Sequence, residues 1–260
     1  MGANETMLVI DTSYGSTVGI TGHEPLTETD SRTHVEKLQV NIATAVQQAK
    51  LTPNDITTIV AGIGPAPFTG LRAGIVAAKA LAFATGAKLV GQDILAPQAW
   101  WNAERRGEAD ADTRVLTLAV NDARRKQLYF ELCAPVSGEN PDPEPLIAMG
   151  IDYPAGIVTR VNEAVNAYEA SAGKRVLVDV VGHGAAKYAS VLQSIDSLGD
   201  VVDESVLDQG AHGLDIFTRR AVARVADDTP VEPLYLRRPD AEVPNPLKHV
   251  LGHGGAKATR

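Results

Sequence analysis

Apolar residues recur along this chain in two rhythms. Short unbroken runs predict strands buried on both faces, and a three-to-four residue spacing predicts helices. Met-Leu-Val-Ile at 7–10 is such a run, ending in Asp11-Thr12-Ser13. A second strand is expected over 16–21 after a turn at Tyr14-Gly15, and a more polar one, nearer a sheet edge, over 25–32. Thr33-His34-Val35-Glu36 fits a capping box that opens a helix, with Val35, Leu38, Ile42, Ala45, Val46 and Ala49 as its inner stripe. Val40, Ala43 and Thr44 fall off that stripe and mark a second, weaker contact face. A strand over 57–63 then leads into Gly62-Ile-Gly-Pro-Ala-Pro-Phe68-Thr-Gly-Leu-Arg72 and a helix from about Thr69 to a stop at Gly86. A strand over 88–91 and a helix over 94–106, carrying Trp100 and Trp101, complete a βββ-α-β-α-β-α order.

The small polar stretch 107–113 reads as a domain boundary, after which a similar order restarts. Strands are expected over 114–121, 127–134 and 145–149, the last two separated by a Pro-rich loop at 135–145. A helix over 153–170, a strand over 175–181 and helices over 184–193 and 211–225 follow. The fold class is therefore α/β, with two tandem mixed sheets flanked by helices. The expected domains are 1–109 and 110–236, followed by a disordered, mildly basic tail at 237–260.

Composition narrows the function classes. The 260 residues carry 24 Lys and Arg against 32 Asp and Glu, a net charge of −8, so any RNA contact must be local or supplied by a partner. A single cysteine, Cys133, permits no intrachain disulfide and fits a reducing compartment, which with the start of the chain predicts a cytoplasmic protein. No apolar run is expected to reach the roughly 18 residues of a membrane span, because Arg72 and Lys79 interrupt the best candidate.

Two features of the central stretch call for a cause. Arg72 lies in the first turn of its helix, where the macrodipole disfavours a cation by a few tenths to about 1 kcal/mol. Gly70, Gly74, Ala77 and Ala78 are small and allow another backbone to approach closely. A phosphate cradle does not explain them, since Pro65 and Pro67 have no N–H to donate and no Lys-Ser or Lys-Thr follows. A stiff turn presenting Phe68 and Arg72 to an anionic group or another chain does; a solvated Arg on a buried helix is the plainer alternative. Asp122, Arg124 and Arg125 read equally as a surface ion-pair turn or as a contact for a partner's carboxylate.

The Gly-Pro-turn-Phe-Thr-Gly-Leu-Arg block resembles the signature of the TsaB (YeaZ) family. Ile10-Asp11-Thr12-Ser13, His34-Val35-Glu36, Asp122-Ala123-Arg124-Arg125 and Pro233-Leu-Tyr-Leu-Arg237 agree with it. The chain departs in Ala66-Pro67, where the family has Gly-Ser. The resemblance implies an actin-like fold (the superfamily of sugar kinases and Hsp70) and a non-catalytic subunit. That subunit pairs with the TsaD catalytic subunit, works with the TsaE ATPase, and helps form threonylcarbamoyladenosine beside the anticodon of ANN-decoding tRNAs, meeting tRNA only through the complex.

Catalytic members of the superfamily wrap ATP phosphates with Asp-x-Gly turns, whereas here the turns read Asp11-Thr12-Ser13 and Asp122-Ala123-Arg124. TsaD holds its metal through His-x-x-x-His, whereas here His34 is followed by Leu38. No catalytic residue, cofactor or metal is expected on this chain alone. The implied partner-binding residues are His34, Glu36, Val40, Ala43, Phe68, Thr69, Arg72, Gly74 and Ala77, with Asp122, Arg124 and Arg125 as a partner or structural cluster. The alternatives are a kinase of the same fold, a metallopeptidase, or a homodimeric module unrelated to tRNA.

Overall fold

A computed structural model of the chain describes residues 5–30, 33–107, 112–138, 142, 144–224 and 230–237. The first half comprises strands β1 (Met7–Asp11), β2 (Ser16–Ile20) and β3 (Leu26–Glu28), helix α1 (His34–Gln48), β4 (Thr58–Gly62), α2 (Phe68–Thr85), β5 (Lys88–Gln92) and α3 (Ala96–Arg106). The second comprises β6 (Thr113–Asp122), β7 (Leu128–Cys133), β8 (Pro145–Asp152), α4 (Pro154–Ala172), β9 (Arg175–Val181), α5 (Ala189–Leu192), β10 (Leu198–Val202) and α6 (Gly210–Arg224). The five-stranded sheets run β3-β2-β1-β4-β5 and β10-β9-β6-β7-β8. In each, the first strand is central, antiparallel to its hairpin neighbour and parallel to the strand after the first helix. The second half thus repeats the topology of the first, which is the two-sheet α/β architecture expected.

Burial explains the arrangement. β1, β2 and β4 are buried at every position, so each must be covered on both faces. On one face α1 and α2 cover the first sheet through Leu38, Ile42, Leu71, Ile75 and Ala78. A matching core lies between the second sheet and α4, and a third joins Val9, Val60 and Val90 to Ala119, Val181 and Phe217. This third core lies between the sheets and draws on α3 and α6: α3 packs on β6, β7 and β9, whereas α6 packs on β5, β1 and β2. Each half therefore lends a helix to the other. Arg105 and Arg106 pin the end of α3 to Asp179 of β9, a fully buried carboxylate that also accepts from Asn102 (3.0 Å) and from the Asp200 N–H (2.8 Å). Burial pushes the Asp179 carboxyl up, but these donors outweigh it and hold it below the usual range.

Several expectations change. Thr33 does not close a capping box: its backbone is already helical (ψ −14), and its hydroxyl, buried and unpartnered, does not reach the first-turn amides. The third strand is Leu26–Glu28, shorter than expected. The helix expected over 184–193 is interrupted by Gly184 at φ +102 and reduces to a 3-10 turn (Ala186–Tyr188) and the one-turn α5. Strand β10 was not anticipated, because Leu-Gly-Asp-Val-Val is half-buried at a sheet edge and shows neither rhythm clearly. By length and apolar composition, α2 passes as a membrane span despite Arg72 and Lys79, although its inner side packs on the sheet. Most of the 107–113 boundary, part of the Pro-rich loop and the tail beyond Arg237 lie outside the described residues.

Candidate functional site

The two central hairpin turns, 12–15 after β1 and 123–127 after β6, face one cleft of about 600 Å³ between the halves. Its walls bring together Glu36, Phe68, Thr69, Asp122 and Arg124 from the expected set, with Thr12, Ser13 and Tyr14.

In the first turn, Asp11 is 4% exposed and both carboxylate oxygens are engaged by Ser13, whose hydroxyl donates to Oδ1 (2.7 Å) and whose N–H donates to Oδ2 (3.1 Å). Burial raises the Asp11 carboxyl, and the Ser13 donors only partly offset it. Thr12 turns the other way and donates to the Gly70 carbonyl at 2.8 Å. Glycine is required behind this turn, since a Cβ on Gly62 would lie 1.9 Å from Asp11 Oδ1. Tyr14 stacks on His183 of the second half, with centroids 3.8 Å apart, and His183 Nε2 lies 3.1 Å from Asp208 Oδ2. Burial raises the Asp208 carboxyl, while His183 and the Ser205 N–H more than compensate and hold it below the usual range.

The second turn is built from cations. Asp122 Oδ1 accepts the Arg124 N–H (3.0 Å), and its Oδ2 receives the Lys187 ammonium (2.9 Å), a partner the sequence did not suggest. Arg124, Arg125 and Lys126 are exposed and stand at φ +62, +50 and +63.

The Gly/Pro turn spends its backbone inside the chain. The Ile63 carbonyl accepts from Leu234 N–H (2.8 Å), the Gly64 carbonyl from Ile94 N–H (3.0 Å) and the Pro65 carbonyl from Asn121 (3.3 Å). Phe68 and Arg72 do reach the surface, but Tyr235 meets both. The Arg72 Nε–H donates to Tyr235 Oη at 2.6 Å, its guanidinium lies 3.9 Å over the Phe68 ring, and Phe68 stacks on Tyr235 at 5.1 Å. An exposed cation–π contact of about 0.5–1 kcal/mol is enough to offset the macrodipole penalty.

Gly74 and Ala77 point the opposite way from expectation. Both are buried, and a Cβ on Gly74 would lie 2.3 Å from Thr12 Oγ1. The small size of Gly74 therefore admits the chain's own first turn, and Ala77 belongs to the core of the first half. The outward surface of the helix pair instead carries Val76 (64% exposed), Phe83 (93%) and Val40 (64%), with Ala43 exposed beside them. Buried Leu38 belongs to the core and is unavailable as a ligand beside His34, whose side chain lies outside the described residues. Tyr14, His183, Asp208, Lys187 and Tyr235 went unnoticed as a set because each pairs across a long sequence separation. Tyr14 lay in the turn after the first strand and Tyr235 in the 233–237 stretch, but nothing local in either names its partner.

Residues 26–244 match the family described as TsaD, tRNA N6-adenosine threonylcarbamoyltransferase. An uncharacterized protein of Mycobacterium tuberculosis is 36% identical over 132 residues, covering 48% of this chain and 57% of that protein. The tRNA N6-adenosine threonylcarbamoyltransferase of Shouchella clausii is 34% identical over 104 residues, 40% of this chain and 30% of that enzyme. The chain thus spans about half the length of the first of these, 57%, and less of the second. YeaZ from Pseudomonas aeruginosa superposes with a TM-score of 0.61 at 21% identity, over 89% of this chain and 100% of that one. At that identity the likeness speaks for the fold, which is the two-unit actin-like one.

Proposed function

The chain belongs to the TsaD family of tRNA N6-adenosine threonylcarbamoyltransferases, and from that premise we propose that it is the YeaZ-like subunit of the complex rather than the transferase itself. It pairs with a TsaD-like catalytic subunit, works with a TsaE-like ATPase in the cytoplasm, and carries no cofactor of its own.

The observation that carries this reading is the outward apolar surface of α1 and α2. Phe83, 93% exposed, with Val76 two helical turns before it and Val40 on the neighbouring helix, is more apolar exposure than a free helix pair needs. The closed first turn supports the non-catalytic part. An Asp11 carboxylate occupied by Ser13 on both oxygens is not presented to a phosphate or its cation. A kinase of this fold would need that turn open. A homodimer could use the same helix surface, so the partner must be tested directly.

The test is threonylcarbamoyladenosine formation on an unmodified tRNA with catalytic subunit, ATPase and carbamoyl donor, with and without this chain. The expected result is modification only when the chain is present, and loss of both modification and co-elution with the catalytic subunit in Val76→Asp/Phe83→Asp. Equal modification without the chain would overturn the reading. Retained co-elution of the double variant would overturn the surface assigned to it.

A further inference from the structure

Helix α2 is seated on the first turn by a contact with no slack. Thr12 is 3% exposed and donates its hydroxyl to the Gly70 carbonyl at 2.8 Å. One helical turn on, a Cβ at Gly74 would lie 2.3 Å from Thr12 Oγ1, 3.0 Å from its Cγ2 and 3.2 Å from its Cβ, so the helix backbone itself rests on this side chain. The turn behind Thr12 is held in place, since the Ser13 hydroxyl and N–H both bond the Asp11 carboxylate. The rest of the buried side of α2, Leu71, Ile75, Ala78 and Ala82, makes apolar contacts, which are non-directional. The N-cap residue, Pro67, makes no side-chain capping bond. At about 3.6 residues per turn, Phe83 falls two and a half turns after Gly74, on the opposite side of the helix, with exposed Arg72 and Val76 flanking it.

We propose that Thr12 is a positioning residue for subunit docking: with Gly74 it sets the height of α2 above the first sheet, and through it the place of the outward surface of Val76 and Phe83. The inference rests on the reading of that surface as the docking site for the catalytic subunit. Binding anchors must be held to within about 0.5 Å of the productive geometry. Apolar contacts between packed elements permit small sliding, whereas a hydrogen-bonded side chain set against bare helix backbone acts as a stop. A methyl added at Gly74 has to move the helix or the turn by about 1 Å to restore an ordinary contact. Because Phe83 lies on the far side, a lift of the helix carries it directly toward the partner.

The experiment is calorimetric titration of the full-length chain with the TsaD-like catalytic subunit, well below the melting temperature, for wild type, Gly74→Ala, Thr12→Ala/Gly74→Ala and Thr12→Ser. Gly74→Ala should bind roughly tenfold more weakly. Thr12→Ala/Gly74→Ala removes the obstructing atoms and should regain most of that loss, and Thr12→Ser keeps the hydroxyl and should bind as wild type does. A purely structural Thr12 would lower melting temperatures and leave the affinity of the folded chain unchanged. Wild-type affinity in Gly74→Ala, or no recovery in the double variant, would overturn the proposal. Should Gly74→Ala not fold, Thr12→Ala carries the test: it removes the stop and should bind more weakly, and unchanged affinity would overturn the proposal. Failure of the docking surface itself shows separately, as wild-type affinity in Val76→Asp/Phe83→Asp, and the proposal then falls with it.

Discussion

The turns after β1 and after β6 occupy the same place in two halves of one topology, yet they have opposite characters. The first is closed: Asp11 is buried, both its oxygens are satisfied by Ser13, and Thr12 is tied to the Gly70 carbonyl. The second is open: Asp122 sits at the rim with Lys187, and Arg124, Arg125 and Lys126 stand exposed in left-handed conformations that cost roughly 1–2 kcal/mol each. A duplicated fold has thus kept one loop for structure and left the other charged at the surface. The cleft they share is lined on one side by Thr12 and Ser13 and on the other by Asp122 and Arg124.

The strongest way to break this contrast is to force the closed turn open. Gly62→Ala places a methyl 1.9 Å from Asp11 Oδ1, and it should cost about 3 kcal/mol, read as a loss of roughly 6–12 °C in melting temperature. A variant that melts with wild type would show that Asp11 moves without cost and that the first turn is not closed. In the other turn the sign reverses. Arg125→Asn/Lys126→Gly should gain about 1–2 kcal/mol in urea unfolding, because the left-handed strain is relieved. Any destabilisation there would mean the cations stabilise the fold. Tyr14→Ala removes the stack on His183 that ties the first turn across the cleft, and should cost about 1 kcal/mol in the same assay. Asp122→Ala removes the rim pair with Lys187 and the bond from the Arg124 N–H, for about 0.5–1 kcal/mol, the ionic part decreasing further in salt.

The slightest signal is a trend with pH. Asp11, raised in the fold by burial, costs stability as pH climbs from its unfolded value through its folded one. The stability difference between Asp11→Asn and wild type should therefore move in the variant's favour from pH 4 to pH 7. Asp208 is held low and behaves oppositely, contributing above its unfolded value and losing that contribution as pH falls through the folded one, so Asp208→Asn should lose ground over the same rise. Parallel trends in the two variants would contradict the environments described for these carboxyls.

Most of the frame was legible because it depends on local signals. Unbroken β-branched runs, the stripe from Leu38 to Val46 and the stop at Gly86 need no knowledge of distant chain. What was not legible depends on which partner arrives. A small residue at Gly74 announces a close approach without saying whether Thr12 or another chain makes it. The Thr33-x-x-Glu36 pattern names a capping box, but a Thr already in helical conformation cannot form one. Arg72 showed an unpaid penalty in the first turn, and its answer, Tyr235, stands 163 residues further on. The cation turn was visible as residues only; its left-handed backbone was not.

That last separation also orders events during synthesis. Helix α2 and the Gly/Pro turn emerge from the ribosome long before the segment that fastens them, in which Leu234 bonds Ile63, Glu232 pairs with Lys79 and Tyr235 caps Arg72. At about 5–20 residues per second, the nascent first half waits roughly 8–30 s for its strap. During that interval Arg72, Lys79 and the Ile63 carbonyl are already translated but lack the partners that later fasten them.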